Sequence, residues 1–258
     1  MLLAIDIGNT NIVLGLFADK KLVHKFRLET NLLKPVDEYA VDIVELFLNN
    51  KIDCLKITSA VIASVVPSLN DVIEKAVKKF CNGEVLVVGK NLKLDIEIAI
   101  KNKSEVGFDR LINAIVGYKK LGGDLIIVDF GTATTFDVIG QKGEYLGGVI
   151  APGVNLSIKA LHDMTAQLPK IQVKAQKNVI GKSTFEAMNS GIYFGYISLV
   201  EGLIAKIKAE YAQSYQTENK MKTIITGGLG SLFSNAIAND GVFPDLTLEG
   251  LRIVNKKD

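Results

Sequence analysis

The chain is 258 residues long, 48% hydrophobic and 22% charged, with 23 Gly, 5 Pro, 2 Cys and no Trp. This composition excludes a disordered, collagenous or disulfide-scaffolded chain, and the length suits one large domain or two moderate ones at roughly 100–200 residues each. Thirty Lys+Arg against 28 Asp+Glu leave a formal net charge of +2, which gives no basic footprint for nucleic acid and points to small molecules or other subunits as partners.

Met1–Ile5 is apolar, but it lacks a basic leader and meets Asp6 too early for a signal peptide, so it reads as a buried strand. Ile12–Phe17 and Leu22–Leu28 read as a β-hairpin around the turn residues Ala18-Asp19-Lys20-Lys21. Ala40, Ile43, Val44 and Phe47 then line one face of a helix over Asp37–Asn49. A strand over Ile57–Ala63, a helix capped by Ser68, a strand over Glu84–Val88 and an alternating segment over Asp95–Ile100 follow. A helix from Asp109 to Leu121, stopped by Gly122-Gly123, closes this half.

The pattern then restarts. Leu125–Thr134 repeats the apolar run, the Asp-x-Gly and the polar segment of Leu2–Asn11, and Thr135–Ile139, Gly140–Gly143 and Tyr145–Ile150 read as a second hairpin. A helix over Val154–Met164 and a long one over Ser183–Tyr211 come next; Gly191, Gly195 and Gly202 in the latter suggest close approach of a neighbouring helix or backbone. Gln213–Asn219 reads as a polar loop. A strand over Lys222–Thr226, the loop Gly227–Gly230, a helix over Ser231–Ala238 and a frayed tail at Asn255–Asp258 complete the chain. The reading is an α/β protein with two similar mixed-sheet domains, 1–122 and 123–258, and a ligand in the cleft between them. No apolar run approaches the roughly 20 residues that span a bilayer, so a soluble cytoplasmic protein with no membrane partner is expected, both Cys54 and Cys81 being free thiols.

The chemistry sits at the repeated Asp-Gly turns. Gly8 and Gly131 let the backbone approach a polyphosphate, and Asn9, Thr10, Thr132 and Thr134 can donate hydrogen bonds to its oxygens. Asp6 and Asp129 repel phosphate, so they suit a cation, or its water shell, that bridges to it. Asp109, in Glu105-Val106-Gly107-Phe108-Asp109-Arg110, suits a helix N-cap and equally suits a carboxylate that orients or deprotonates a phosphoryl acceptor beside an Arg. Gly181-Lys182-Ser183-Thr184 resembles the end of a P-loop, but position 176, where the first Gly belongs, holds Gln. Thr226–Gly230 fits either a backbone approach to adenosine or a plain turn. His24, His162 and the two cysteines cannot form a zinc site of the usual spacing.

Asp6-Ile7-Gly8-Asn9-Thr10-Asn11 with Gly15, then Gly107-Phe108-Asp109-Arg110, then Asp129-Phe130-Gly131-Thr132-Ala133-Thr134-Thr135-Phe136-Asp137, Gly147-Gly148 and Pro152-Gly153 run in order over nearly the whole chain. Together they resemble the motifs of the type III pantothenate kinases, a branch of the actin-like ATPase superfamily. The resemblance implies a duplicated ribonuclease-H-like fold, a homodimer, and ATP-dependent phosphorylation of pantothenate to 4′-phosphopantothenate, the first step of coenzyme A synthesis. It also implies Mg2+ or a similar divalent ion with ATP, and a monovalent cation, K+ or NH4+, at Asp129. By matching motif, Asp109 is the catalytic proton acceptor, and Gly107, Phe108, Asp109, Arg110 and Thr184 bind pantothenate. Asp6, Ile7, Gly8, Asn9, Thr10, Asn11, Ile12 and Val13 line the ATP phosphates, with Thr132 as a further ATP contact. Where the family commonly has Tyr-x-Asn-Pro, this chain has Ile100-Lys101-Asn102-Lys103, and no residue is assigned to that tyrosine's contact. The alternatives are a non-catalytic accessory or regulatory protein of the same superfamily, and a kinase for another small hydroxylated acid.

Overall fold

A computed structural model describes residues 1–215 and 220–255. In chain order the first elements are β1 (Leu2–Ile7), β2 (Asn11–Ala18), β3 (Lys21–Glu29), α1 (Val36–Asn49), β4 (Ser59–Ser64), α2 (Asn70–Lys78), β5 (Glu84–Val87) and α3 (Phe108–Leu121). They are followed by β6 (Leu125–Phe130), β7 (Ala133–Ile139), β8 (Tyr145–Pro152), α4 (Val154–Asp163), α5 (Thr184–Tyr215), β9 (Lys222–Thr226), α6 (Gly230–Phe233), β10 (Gly241–Val242) and α7 (Leu246–Val254).

The strands form two five-stranded sheets, ordered β3-β2-β1-β4-β5 and β10-β9-β6-β7-β8. In each, a three-stranded antiparallel meander is extended by parallel strands on the side of its first strand. Strand for strand, β6 to β10 repeat β1 to β5, so the internal sequence repeat is a structural duplication.

The chain divides into two compact units rather than at residue 122/123. The first holds Met1–Glu97, Lys101–Val116 and the chain from Leu246; the second holds Ile98–Ile100 and the chain from Gly117 to Asp245. In the first unit the period-two alternation of β1 sorts its side chains onto two faces. Leu3, Ile5 and Ile7 pack with Tyr39, Ile43 and Phe47 of α1 and Ile73 and Val77 of α2. Ala4 faces the other way, into a cluster with Val61, Ile112 of α3, and Leu248 and Leu251 of α7. Gly250 lets α7 come close to α3, since a Cβ there would stand 2.3 Å from Ile112 Cγ2. The C-terminal helix, which the sequence reading did not anticipate, therefore belongs to the first unit. In the second unit, Ile126, Val128, Phe130 and Phe136 pack with Ile158 of α4 and with Ile192, Tyr196, Val200 and Ile204 of α5.

Several expectations are corrected. Ser68 does not cap α2: Pro67 fixes the backbone into a 3-10 turn over Pro67–Leu69, and Leu69 holds the cap position without a side-chain bond. The alternating segment over Asp95–Ile100 joins a ladder among the described residues at a single isolated bridge, from Ile98 to Tyr145. The helix expected over Ser231–Ala238 is a single turn, α6, and Asn239 Nδ2 donates to the carbonyls of Ser234 and Ile237 and turns the chain away. Gln213–Tyr215 belong to the last turn of α5, while the rest of the expected polar loop, and residues 256–258 of the expected tail, lie outside the described residues. Nothing lies within 4 Å of a Cβ built on Gly191, Gly195 or Gly202, so none of them marks a close approach within the described chain. By length and composition α5 is a helix able to cross a membrane, although Glu186 and Glu201 keep its uncharged run short of about 20 residues. One face of it, with Met188, Ile192, Tyr193, Tyr196, Val200, Ile204 and Tyr211, is buried in the second unit's core.

Candidate active site

In open α/β sheets, ligands bind beyond the carboxyl ends of the parallel strands. In the first unit those ends are Ile7, Ser64 and Val87. The β1–β2 turn is tight: Gly8 N donates to Asn11 O at 3.0 Å, the same oxygen that a Cβ on Gly8 would meet at 3.1 Å. Thr30 braces the turn from the end of β3, its Oγ1 donating to Gly8 O at 2.7 Å and its N to Thr10 O at 3.1 Å. Asn9 and Thr10 are exposed and Asp6 is half-buried. Ile7 and Ile12 are wholly buried in the core, so their side chains are not available to a ligand.

Gly107–Arg110 come to the same strand ends. Val65 N donates to Ile7 O at 3.0 Å, and Val65 Cγ1 would lie 3.2 Å from a Cβ on Gly107. Asp109 is half-buried in the first turn of α3, where exposed backbone N–H groups favour a carboxylate. Its Oδ1 accepts from Arg110 N at 2.8 Å. Burial nonetheless pushes its pKa above the usual Asp value, against the opposing pull of the Arg110 N–H and guanidinium. A carboxylate so raised is a better base than one in water.

In the second unit Asp129 is half-buried near the end of β6, and the β6–β7 turn repeats the first, with Gly131 N donating to Ala133 O at 3.1 Å. Thr132 is exposed there. Thr134 is fully buried, which removes it from the expected phosphate donors: on β7 it faces inward, one residue beyond the turn. Gly227, with φ 89°, lies against Asp129, since a Cβ there would come 2.3 Å from Asp129 Oδ1. Thr184 is the exposed first residue of α5, after Ser183, whose Oγ accepts from Glu186 N at 3.2 Å as a helix cap. The Gly181–Thr184 segment is thus a capped helix start rather than a P-loop.

The sequence reading missed Thr30 and Val65, because the Thr30 hydroxyl and the Val65 N–H donate to backbone carbonyls, bonds that leave no motif.

Among the described residues no group of three or more His, Cys, Asp and Glu is placed to hold a metal. A divalent ion here would take one protein carboxylate and draw its other oxygens from water and phosphate, the mode that suits Mg2+.

Two like units, each with a glycine turn at the carboxyl ends of its parallel strands, define a duplicated α/β fold of the actin-like ATPase type. The fold is shared with a solved structure described as a conserved putative Baf family transcriptional activator from Campylobacter jejuni (TM-score 0.59, 20% identity, 99% of this chain and 98% of that one). It is shared also with a putative 2-dehydro-3-deoxygalactonokinase from Sinorhizobium meliloti (TM-score 0.54, 11% identity, 99% and 96%). A family model described as type III pantothenate kinase matches residues 2–206. The protein of that name from Persephonella marina is 44% identical over 252 residues, 97% of this chain and 96% of its own. The chain belongs to the type III pantothenate kinase family, enzymes that use ATP to phosphorylate pantothenate in coenzyme A synthesis.

Proposed function

We propose that Asp109 is the proton acceptor for the pantothenate hydroxyl. As the hydroxyl oxygen attacks the γ-phosphorus in line, its proton passes to the Asp109 carboxylate and the bond from the γ-phosphorus to the bridging oxygen of ADP breaks. The observation that carries this reading is the Asp109 carboxyl itself: half-buried, raised in pKa by burial, and packed beside Gly107, which in turn lies against Val65 at the end of β1. Gly107, Phe108 and Arg110, with Thr184, hold the acceptor, Arg110 supplying positive charge for the pantothenate carboxylate. The backbone of Asp6–Val13 and Thr132 bind the ATP phosphates. Asp6 is the carboxylate for the divalent ion, which supplies charge neutralisation to the phosphates. Asp129 holds a monovalent cation, K+ or NH4+.

The enzyme acts in the cytoplasm as a homodimer through the open face of α5. Gly191, Gly195 and Gly202 leave room there, and Met164 and Ile180 are strongly exposed in the same unit. The test is ATP consumption with pantothenate, with and without potassium, alongside sedimentation. Potassium-dependent turnover by a dimer is expected. Folded protein with no turnover in either condition would favour the accessory reading.

A further inference from the structure

Phe108, adjacent to the proposed base, is set by a turn that lies almost 20 residues earlier in the chain. After β5 the chain reverses over 87–92: Lys90, Asn91 and Leu92 all donate to Val87 O, at 3.1, 3.1 and 3.2 Å, and Gly89 N donates to Leu92 O at 2.9 Å. Asn91 ties the turn to the strand from which it leaves, its Oδ1 accepting from Val87 N at 2.6 Å and its Nδ2 donating to Val85 O at 3.2 Å. Lys90 ties it to α2, with Nζ 2.7 Å from Glu74 and 2.9 Å from Asp71. Glu74 is buried and also pairs with Lys78 at 2.6 Å. The turn is therefore anchored on two sides.

At its tip Gly89 has φ 82°, in the region that favours glycine. The Phe108 ring fills the space that a side chain on Gly89 would need: a Cβ would stand 2.2 Å from Cζ and 2.6 Å from Cε2. The ring rests on the cluster of Ala63, Val88, Ile112 and Leu251. Phe108 is half-buried against that cluster, so the ring makes room at the Gly89 side by giving up its packing there or by moving its own backbone. That backbone is the first residue of α3, directly before Asp109.

We infer that Gly89 is a positioning residue for phosphoryl transfer: the anchored 87–92 turn fixes the Phe108 ring, and the ring fixes the α3 start that aims Asp109 at the acceptor. This rests on Asp109 being the base, so the experiment separates the two ideas. Gly89→Ala, Gly89→Ala with Phe108→Leu, and Asp109→Asn are compared with wild type for kcat and KM with pantothenate, KM for ATP, the pH profile and the melting temperature. Gly89→Ala is expected to lose about 10-fold or more in kcat/KM for pantothenate, because a shift near 1 Å at a reacting group has effects of that size or larger. Its KM for ATP should hold and its acid limb should move. In the double variant, the shorter leucine side chain should restore part of the loss.

A Gly89→Ala enzyme that melts earlier but keeps wild-type kinetics and pH profile where folded overturns the inference while leaving Asp109 in place. If Gly89→Ala does not fold, a folded, active double variant supports the inference. A double variant that also fails to fold overturns it, because the cause is then backbone strain at residue 89 rather than the ring. Near-normal turnover by Asp109→Asn overturns the reading on which it rests.

Discussion

Gly107 and Asp109 compete for one volume: a Cβ on residue 107 would stand 2.4 Å from Asp109 Oδ1. The glycine is what allows the carboxylate its present rotamer beside the Arg110 N–H. Gly107→Ala should therefore displace Asp109 and lower kcat/KM for pantothenate by about 10-fold or more, with nucleotide affinity held. Steady-state kinetics in both substrates check this.

The raised pKa of Asp109 carries a pH prediction for both activity and stability. In kcat/KM for pantothenate, the acid limb should fall at a pH above the usual Asp value of about 3.9, since the base must be ionised. For stability, a folded-state pKa above the unfolded one means that the native state binds the proton more tightly. Stability from this group is thus full below the unfolded pKa and falls as pH rises through the window up to the folded pKa. Asp109→Asn, which removes the buried charge, should melt at or above the wild-type temperature at neutral pH and lose that advantage in acid. Thermal melts across the acid range check the sign.

Thr30→Val removes the bond to Gly8 O at 2.7 Å at nearly constant side-chain volume. With about 1 kcal/mol lost from a turn that must present its N–H groups to phosphate, KM for ATP should rise about five-fold. KM for pantothenate should stay within two-fold, roughly the noise of such a bond's contribution. Initial rates at varied ATP check this.

Asp129→Asn should abolish the proposed activation by potassium, because a neutral amide holds a monovalent cation poorly in place of the carboxylate seated against Gly227. Rate against potassium at fixed ionic strength checks it, with sodium as the control.

The parts of the fold legible in the sequence were those that local chemistry dictates. Gly140–Gly143 marks a hairpin turn by composition, and Ile43 and Phe47 mark a buried helix face by spacing. The missed parts depend on contacts made far along the chain. The Leu248 and Leu251 pattern of α7 is short, and its packing on Ala4 and Ile112 joins the two ends of the sequence. Gly191, Gly195 and Gly202 mislead because a glycine in a helix looks the same whether its neighbour is present or absent. Of the residues proposed to act, Asp6, Asp109 and Asp129 stand out in the motifs. Thr30 and Val65 do not, because a backbone carbonyl accepts from any residue the fold brings near.

The most direct test of Asp109 as proton acceptor is single-turnover transfer of the γ-phosphate to pantothenate by wild type and Asp109→Asn, with ATP binding measured on the same samples. Unchanged ATP affinity with transfer slower by roughly 10²-fold or more is expected for loss of a general base. Transfer by Asp109→Asn at a rate close to wild type would contradict it.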